Sequence, residues 1–177
     1  MNNLKSNQEQ AGQKRIGKGM IVAAWVGLLI ILTVFFSAYL DRVNNPNSKP
    51  KTSVTGTVKE VVLKRNRSGH YVVNGFINNK EVTFLLDTGA TDVALSDDLA
   101  NALELRRGAY ITSQTANGSV SARQTTLSEV SIGDIRLQNV RASILPGLSD
   151  REVLLGMSFL KQLELVQKGN YLMLRQR

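Results

Sequence analysis

Apolar and polar residues fall along this chain in two regimes. From Met20 to Leu40, 21 consecutive residues carry no charge. At about 1.5 Å of rise per residue, such a helix is long enough to cross a bilayer core. Trp25 and Tyr39 stand near its two ends, where aromatic side chains favour the membrane interface. Beyond residue 55 the apolar residues come in short runs, many alternating with polar ones, and turn signals recur about every ten residues. That pattern predicts a mainly β domain.

The pattern also predicts the elements. Val58, Val61, Val62 and Leu63 mark an accessory strand, and Lys64–Gly69 ends it. Tyr71–Val73 with Phe76–Ile77, then Val82–Leu86, form the two arms of a hairpin that turns at Asn78-Asn79. Val93–Leu95 is a short strand. Ser96 is placed to cap a helix running to about Leu103, with Asp97 and Asp98 favoured at its positive end. Ile111–Val120 reads as polar and flexible, with Asn117-Gly118 as a hairpin-turn signal. Thr125–Ile132 and Ile135–Ile144 alternate as strands joined at Gly133-Asp134. After the break at Pro146-Gly147, Val153–Leu155 is a short apolar strand ending in Gly156, and a helix follows from about Met157 to Leu163. A last hairpin joins Leu165-Val166 to Tyr171–Leu174 through Lys168–Asn170. Short strands at this spacing fit a small barrel or sandwich.

Charge and composition narrow the organisation. The formal charge of +8 is unevenly placed: residues 1–54 hold seven Lys/Arg against two acids, and residues 55–177 hold fifteen against twelve. The basic excess therefore belongs mostly to the flank, which argues against a nucleic-acid binder. Residues 1–19 are polar and basic, and disorder is expected there. Residues 20–40 are expected to be an uncleaved anchor. The apolar run exceeds a signal-peptide core of about 7–15 residues, and Phe36 stands where a cleavage site wants a small residue. Lys14, Arg15 and Lys18 place the N-terminal tail in the cytoplasm, although Arg42, Lys49 and Lys51 follow the span. In a bacterial inner membrane the remainder would then be periplasmic. Residues 41–55, with Pro46 and Pro50 and almost nothing apolar, read as a linker to a domain over 56–177. The basic run Lys64–Arg67 reads as a solvated turn, with contact to anionic lipid or substrate as the alternative.

With no cysteine, the chain has no disulfide, thiolate metal site or cysteine nucleophile. His70 is the single histidine, so a serine triad or His-rich metal site would have to use it. The chemistry concentrates in Phe84-Leu85-Leu86-Asp87-Thr88-Gly89-Ala90. A buried strand delivers Asp87 from the core into a turn, where a carboxylate must be hydrogen-bonded. Thr88 offers a hydroxyl on a stiff branched stem, and Gly89 permits a tight turn. A plain exposed turn is the alternative, disfavoured by the apolar strand on one side and Ala90 on the other.

These residues resemble the retropepsin-like aspartic proteases, in particular the bacterial single-pass membrane-anchored group, over about Tyr71–Leu174. Phe84–Ala90 resembles the family's catalytic loop. Val153-Leu154-Leu155-Gly156 resembles the apolar-apolar-Gly element that precedes a short helix, and Gln114–Thr125 stands where the flap hairpin belongs. The resemblance implies a small closed β-barrel-like lobe with one or two short helices, preceded by a single transmembrane helix. It also implies an endopeptidase in which each of two copies supplies one Asp87, since the sequence holds one Asp-Thr-Gly. Two such carboxylates share a proton, as the aspartic proteases illustrate in general. One takes a proton from the attacking water and the other donates toward the peptide carbonyl. Thr88 would bond across the dimer axis, the Gly89 amide would support the carboxylate beside Ala90, and a flap tipped by Asn117 and Gly118 would close over a protein or peptide substrate. Tyr71–Val73 and Leu172–Leu174 are candidate dimer strands. No metal or organic cofactor is implied. The rival readings are a non-cleaving peptide-binding module of the same fold and a membrane-tethered adaptor.

Overall fold

In the computed structural model, residues 3–115, 118–149 and 153–177 are described. The chain divides into two units, Met1–Asp41 and Arg42–Arg177. The first unit lies within α1 (Asn3–Asn44), which continues three residues past the boundary. Its Gly19–Asn44 portion, 26 residues with a mean hydropathy of 2.6, is long and apolar enough to cross a membrane. Trp25, Leu29, Phe35 and Tyr39 expose more than half of their surface, and none of the span is covered by protein. Residues 3–19, expected to be disordered, are helical instead. Gln, Lys, Glu and Ala are good helix formers, and extending an existing helix avoids the cost of nucleating one.

The second unit is built from strands: β1 (Lys51–Thr55), β2 (Val58–Lys64), β3 (Val72–Ile77), β4 (Lys80–Leu86) and β5 (Val93–Ser96) come first. The short helix α2 (Asp97–Ala102) follows, then β6 (Tyr110–Thr115), β7 (Gly118–Ile132), β8 (Ile135–Leu145) and β9 (Val153–Leu155). After α3 (Met157–Leu160), β10 (Glu164–Lys168) and β11 (Tyr171–Gln176) end the chain. The larger sheet has the order β3-β4-β9-β5-β8-β7-β6, and pairing of Phe76 and Ile77 with Ser131 and Val130 joins β3 to β7. Six strands thus close into a barrel, with β6 outside on β7. Closure depends on Gly75, where any Cβ would lie 2.3 Å from the Ser131 carbonyl oxygen. This is the small closed β-barrel lobe expected from the sequence.

The local expectations trace to the residues that carried them. Asn78 and Asn79 have φ of 49° and 66°, the left-handed pair of a two-residue hairpin turn. Ser96 Oγ accepts from the Leu99 N–H at 3.1 Å, and α2 starts there with Asp97 and Asp98 in its first turn. Two helices came out shorter than expected. α2 stops at Ala102, and α3 is a single turn ending at Leu160. The polar stretch around residues 111–120 pairs as the hairpin its turn signal led us to expect, with Thr112 opposite Ser121 and Ser113 opposite Val120. Cross-strand hydrogen bonding orders it although its side chains are polar.

A second sheet, of order β1-β2-β11-β10, packs on the barrel. Val61, Leu63 and Leu174 from this sheet join Phe84, Leu155 and Phe159 in one core. One expectation changes here. β1 falls within the stretch expected to be linker, yet Lys51–Thr55 pairs along its whole length with β2. Asn47, just before it, is buried. Its carboxamide donates to the carbonyls of Val72 (2.7 Å) and Lys64 (2.9 Å) and accepts from the Lys64 N–H (2.7 Å). One side chain therefore joins the incoming segment to both β2 and β3. Its low hydrophobicity hid it in the sequence, because its value lies in hydrogen bonds rather than burial of apolar surface. Replacing Asn47 with Ala removes this partner from three backbone groups, the Val72 and Lys64 carbonyls and the Lys64 N–H, and we expect a loss of about 2–4 kcal/mol in denaturant unfolding of the full chain in detergent. A change below about 0.5 kcal/mol, the range of an indifferent surface substitution, would refute that role.

Candidate active site

The site grows from two parallel strands that end side by side. β4 and β9 pair with Phe84 opposite Val153, Leu85 opposite Leu154 and Leu86 opposite Leu155. The Asp87 N–H extends the ladder by one step to the Leu155 carbonyl at 3.2 Å. Asp87 and Gly156 therefore leave the sheet together. The chain turns at once: the Gly89 N–H donates to Asp87 Oδ1 at 2.8 Å, and the Ala90 N–H donates to the Asp87 carbonyl at 3.2 Å. The carboxylate is thus held by the backbone of its own turn, half-buried, with Thr88 and Gly89 exposed beside it.

The far side of the loop rests on α3. The Met157 N–H donates to the Ala90 carbonyl at 2.8 Å, and the Ser158 N–H donates to that of Thr91 at 2.9 Å. Ser158 Oγ accepts from the Val93 N–H (3.1 Å) and donates to the Arg141 carbonyl (2.7 Å). Arg141 in turn binds Asp92 through its Nε at 2.7 Å. Gly156 makes this docking possible. A Cβ there would lie 2.2 Å from the Asp92 carbonyl oxygen and 2.7 Å from that of Ala90.

Beside Asp87 opens a cleft of about 350 Å³ lined by Tyr71, Leu86, Asp87, Thr88, Leu160, Leu165, Gln167 and Leu172. Leu86, Leu160, Leu165 and Leu172 supply apolar walls beside the polar Thr88 and Gln167, and Asp87 is the one carboxylate lining it among the described residues. A wider, polar cleft of about 490 Å³ lies along residues 104–108 and 124–128 and holds none of the expected site residues. Asp87, Thr88, Gly89 and Ala90 are brought together as expected. Gly118 begins β7 with φ of 107°, at the tip of the β6–β7 hairpin, whereas Asn117 lies outside the described residues. The hairpin root packs near the site: Ile111 and Ala122 join Ala94, Leu145, Leu148 and Leu154 in a small apolar cluster. Arg123 stacks 3.7 Å from the Tyr110 ring and donates to its hydroxyl, which stiffens that root.

These features match a known family. Residues 73–162 match the family described as "gag-polyprotein putative aspartyl protease". This chain belongs to that family. A retropepsin-like aspartic protease from Rickettsia conorii, known from its crystal structure, superposes with a TM-score of 0.58 at 34% identity, over 72% of this chain and 96% of its own. An uncharacterized protein from the cobV 5′ region of a Sinorhizobium species is 36% identical over 112 residues, 62% of this chain and 48% of its own length. An uncharacterized protein of Rickettsia prowazekii is 36% identical over 109 residues, 59% of this chain and 46% of its own. The matched region thus spans about half the length of these two relatives. The fold is that of a retropepsin-like aspartic protease.

Sequence reasoning had named Gly156 only as part of an apolar-Gly element and had missed Ser158, Asp92 and Arg141. Their partners lie far along the chain, and no local spacing links them. Gly156→Ala is expected to push the 87–92 loop off α3, lower the melting temperature and reduce amide protection in that loop, at a cost of about 2–3 kcal/mol. Unchanged protection of residues 87–92 in hydrogen exchange would overturn this account of the loop.

Proposed function

We propose that the protein is a membrane-anchored aspartic endopeptidase that works as a homodimer, with Asp87 of each copy forming one catalytic pair. The supporting observation is the fixed position of the Asp87 carboxylate, backbone-bonded and half-exposed at an apolar cleft where β4 and β9 end together. A lone carboxylate there lacks the acid that must accompany a base. A second copy supplies it by symmetry.

The chemistry follows from two facing carboxylates that share one proton. The ionised member takes a proton from a bound water, whose oxygen adds to the peptide carbonyl carbon. The protonated member gives its proton to the carbonyl oxygen. When the tetrahedral species collapses, the C–N bond breaks, the leaving nitrogen takes the proton that the first carboxylate drew from the water, and the second carboxylate takes one back from a hydroxyl of the gem-diol, which restores the shared proton. In this reading Thr88 bonds across the dimer axis, and Gly89 and Ala90 hold the loop. The β6–β7 hairpin, tipped by Asn117 and Gly118, closes over the substrate and excludes water. The substrate is an extended protein segment, bound by backbone hydrogen bonds with apolar side chains beside the cut. Residues 1–19 are cytoplasmic and residues 20–40 span the bacterial inner membrane. Residues 41–55 connect to a periplasmic catalytic domain over 56–177, and no nucleic acid takes part.

The test is cleavage of a denatured protein by the full chain in detergent, with Asp87→Asn beside it. Wild-type rates should rise faster than linearly with enzyme concentration, and Asp87→Asn should lose at least about 10²-fold. A folded, dimeric wild type that cleaves nothing between acidic and neutral pH would exclude an endopeptidase and leave a peptide-binding module.

A further inference from the structure

Two turns of the smaller sheet lie side by side. One follows β2, from Lys64 to Gly69, and the other joins β10 to β11 at Lys168-Gly169-Asn170. Lys64 stands opposite Tyr171, and the Arg65 N–H donates to the Asn170 carbonyl at 2.8 Å. The two turns gather Lys64, Arg65, Arg67 and Lys168, and neither contains an acidic residue. Among the described residues none of these four cations is in an ion pair. Arg175 and Arg177 of the same sheet, by contrast, are bound to Glu60 and Glu164. Lys64, Arg67, Lys168 and Tyr171 are exposed. Arg65 is half-buried, its guanidinium 5.5 Å from the Tyr71 ring, and its Nε is buried without a hydrogen-bond partner.

The first turn is also tied to the segment that enters this unit. Asn66 Nδ2 donates to the Asn44 carbonyl at 3.0 Å, and Asn66 Oδ1 accepts from the His70 N–H at 2.9 Å. Asn44 lies four positions beyond Leu40, the last residue of the uncharged run. Four residues reach at most about 14 Å even when fully extended. In any orientation of the run, the turn therefore stays close to the place where the run ends.

We propose that these two turns form a docking surface for anionic lipid headgroups, which holds the second unit against the membrane. This rests on the reading of residues 20–40 as a membrane span. Free ammonium and guanidinium groups can bind phosphate oxygens without first breaking an internal ion pair. The unmet donor of Arg65 points the same way, since a merely solvated turn gives no reason for a buried Nε without a partner. An exposed tyrosine among the cations fits the headgroup layer, which accommodates both its ring and its hydroxyl. An acidic peptide would meet the same charges, but only the bilayer is kept beside them by the chain itself. Tyr71 and Gln167, which adjoin the two turns, line the cleft beside Asp87. Docking would thus set the height of that cleft above the bilayer.

The absence of cysteine allows single labels to be placed cleanly. The full chain is reconstituted in nanodiscs of phosphatidylcholine, alone or mixed with phosphatidylglycerol. Ser68→Cys carries an environment-sensitive fluorophore, and a headgroup-spin-labelled lipid quenches it on contact. Quenching should be strong in the anionic discs and weak in the neutral ones, and should fall as salt rises from about 0.05 to 0.5 M. Lys64→Gln combined with Arg67→Gln should weaken the docked state about 25-fold, at about fivefold per cation. A label at Thr57→Cys, before the far end of β2, should stay unquenched in both discs. Equal quenching at Ser68 with neutral and anionic lipid, or quenching that survives both salt and the double substitution, would overturn the docking surface and leave the span intact. A folded full chain that elutes free of lipid would overturn both.

Discussion

The parallel pairing of β4 with β9 is the constraint on which the rest of the site depends. It makes two chain segments leave the sheet at the same level, one at Asp87 and the other at Gly156, 69 positions further on. Everything that fixes the carboxylate follows from that coincidence. The turn after Asp87 folds back onto its own side chain, and the turn after Gly156 passes under the loop closely enough to accept no Cβ. Parallel strands cannot be joined by a tight turn, so the barrel must be routed through β5 to β8 before β9 can take its place. The long connection is the topological requirement for a carboxylate held from both sides.

The remaining polar groups near the loop serve the same end. Ser158 spans from Val93 to Arg141, and Arg141 closes onto Asp92, so the loop, β5 and β8 are linked by one short series of hydrogen bonds. A buried hydroxyl that both donates and accepts meets two backbone needs at once, which makes it more than a packing residue. Asn47 does comparable work at the other end, joining the segment after α1 to β2 and β3. In both cases a small polar side chain ties strands together where apolar contact alone would leave backbone groups unpaired.

The two units differ in the surface they show. Gly19–Asn44 presents apolar side chains outward along its length, whereas the barrel buries its apolar residues and shows polar ones. Tethering two copies to one membrane would raise their local concentration and favour a weak pairing.

Local chemistry made much of this legible in advance. The uncharged run from Met20 to Leu40, the positive-φ turn at Asn78-Asn79, the cap at Ser96 and the apolar strand leading into Asp87 each depend on residues within a few positions of one another. Periodicity and turn propensity act over that range. Nothing local revealed that Thr52 would sit in a strand rather than a linker, that Asn47 would be buried, or that Gly156 would face the carbonyls of Ala90 and Asp92. Nor could spacing show that β3 and β11 would have both edges filled and β10 only one. Those properties belong to pairs of distant segments. They exist only once the barrel closes and decides which backbone groups are already satisfied and which still face outward.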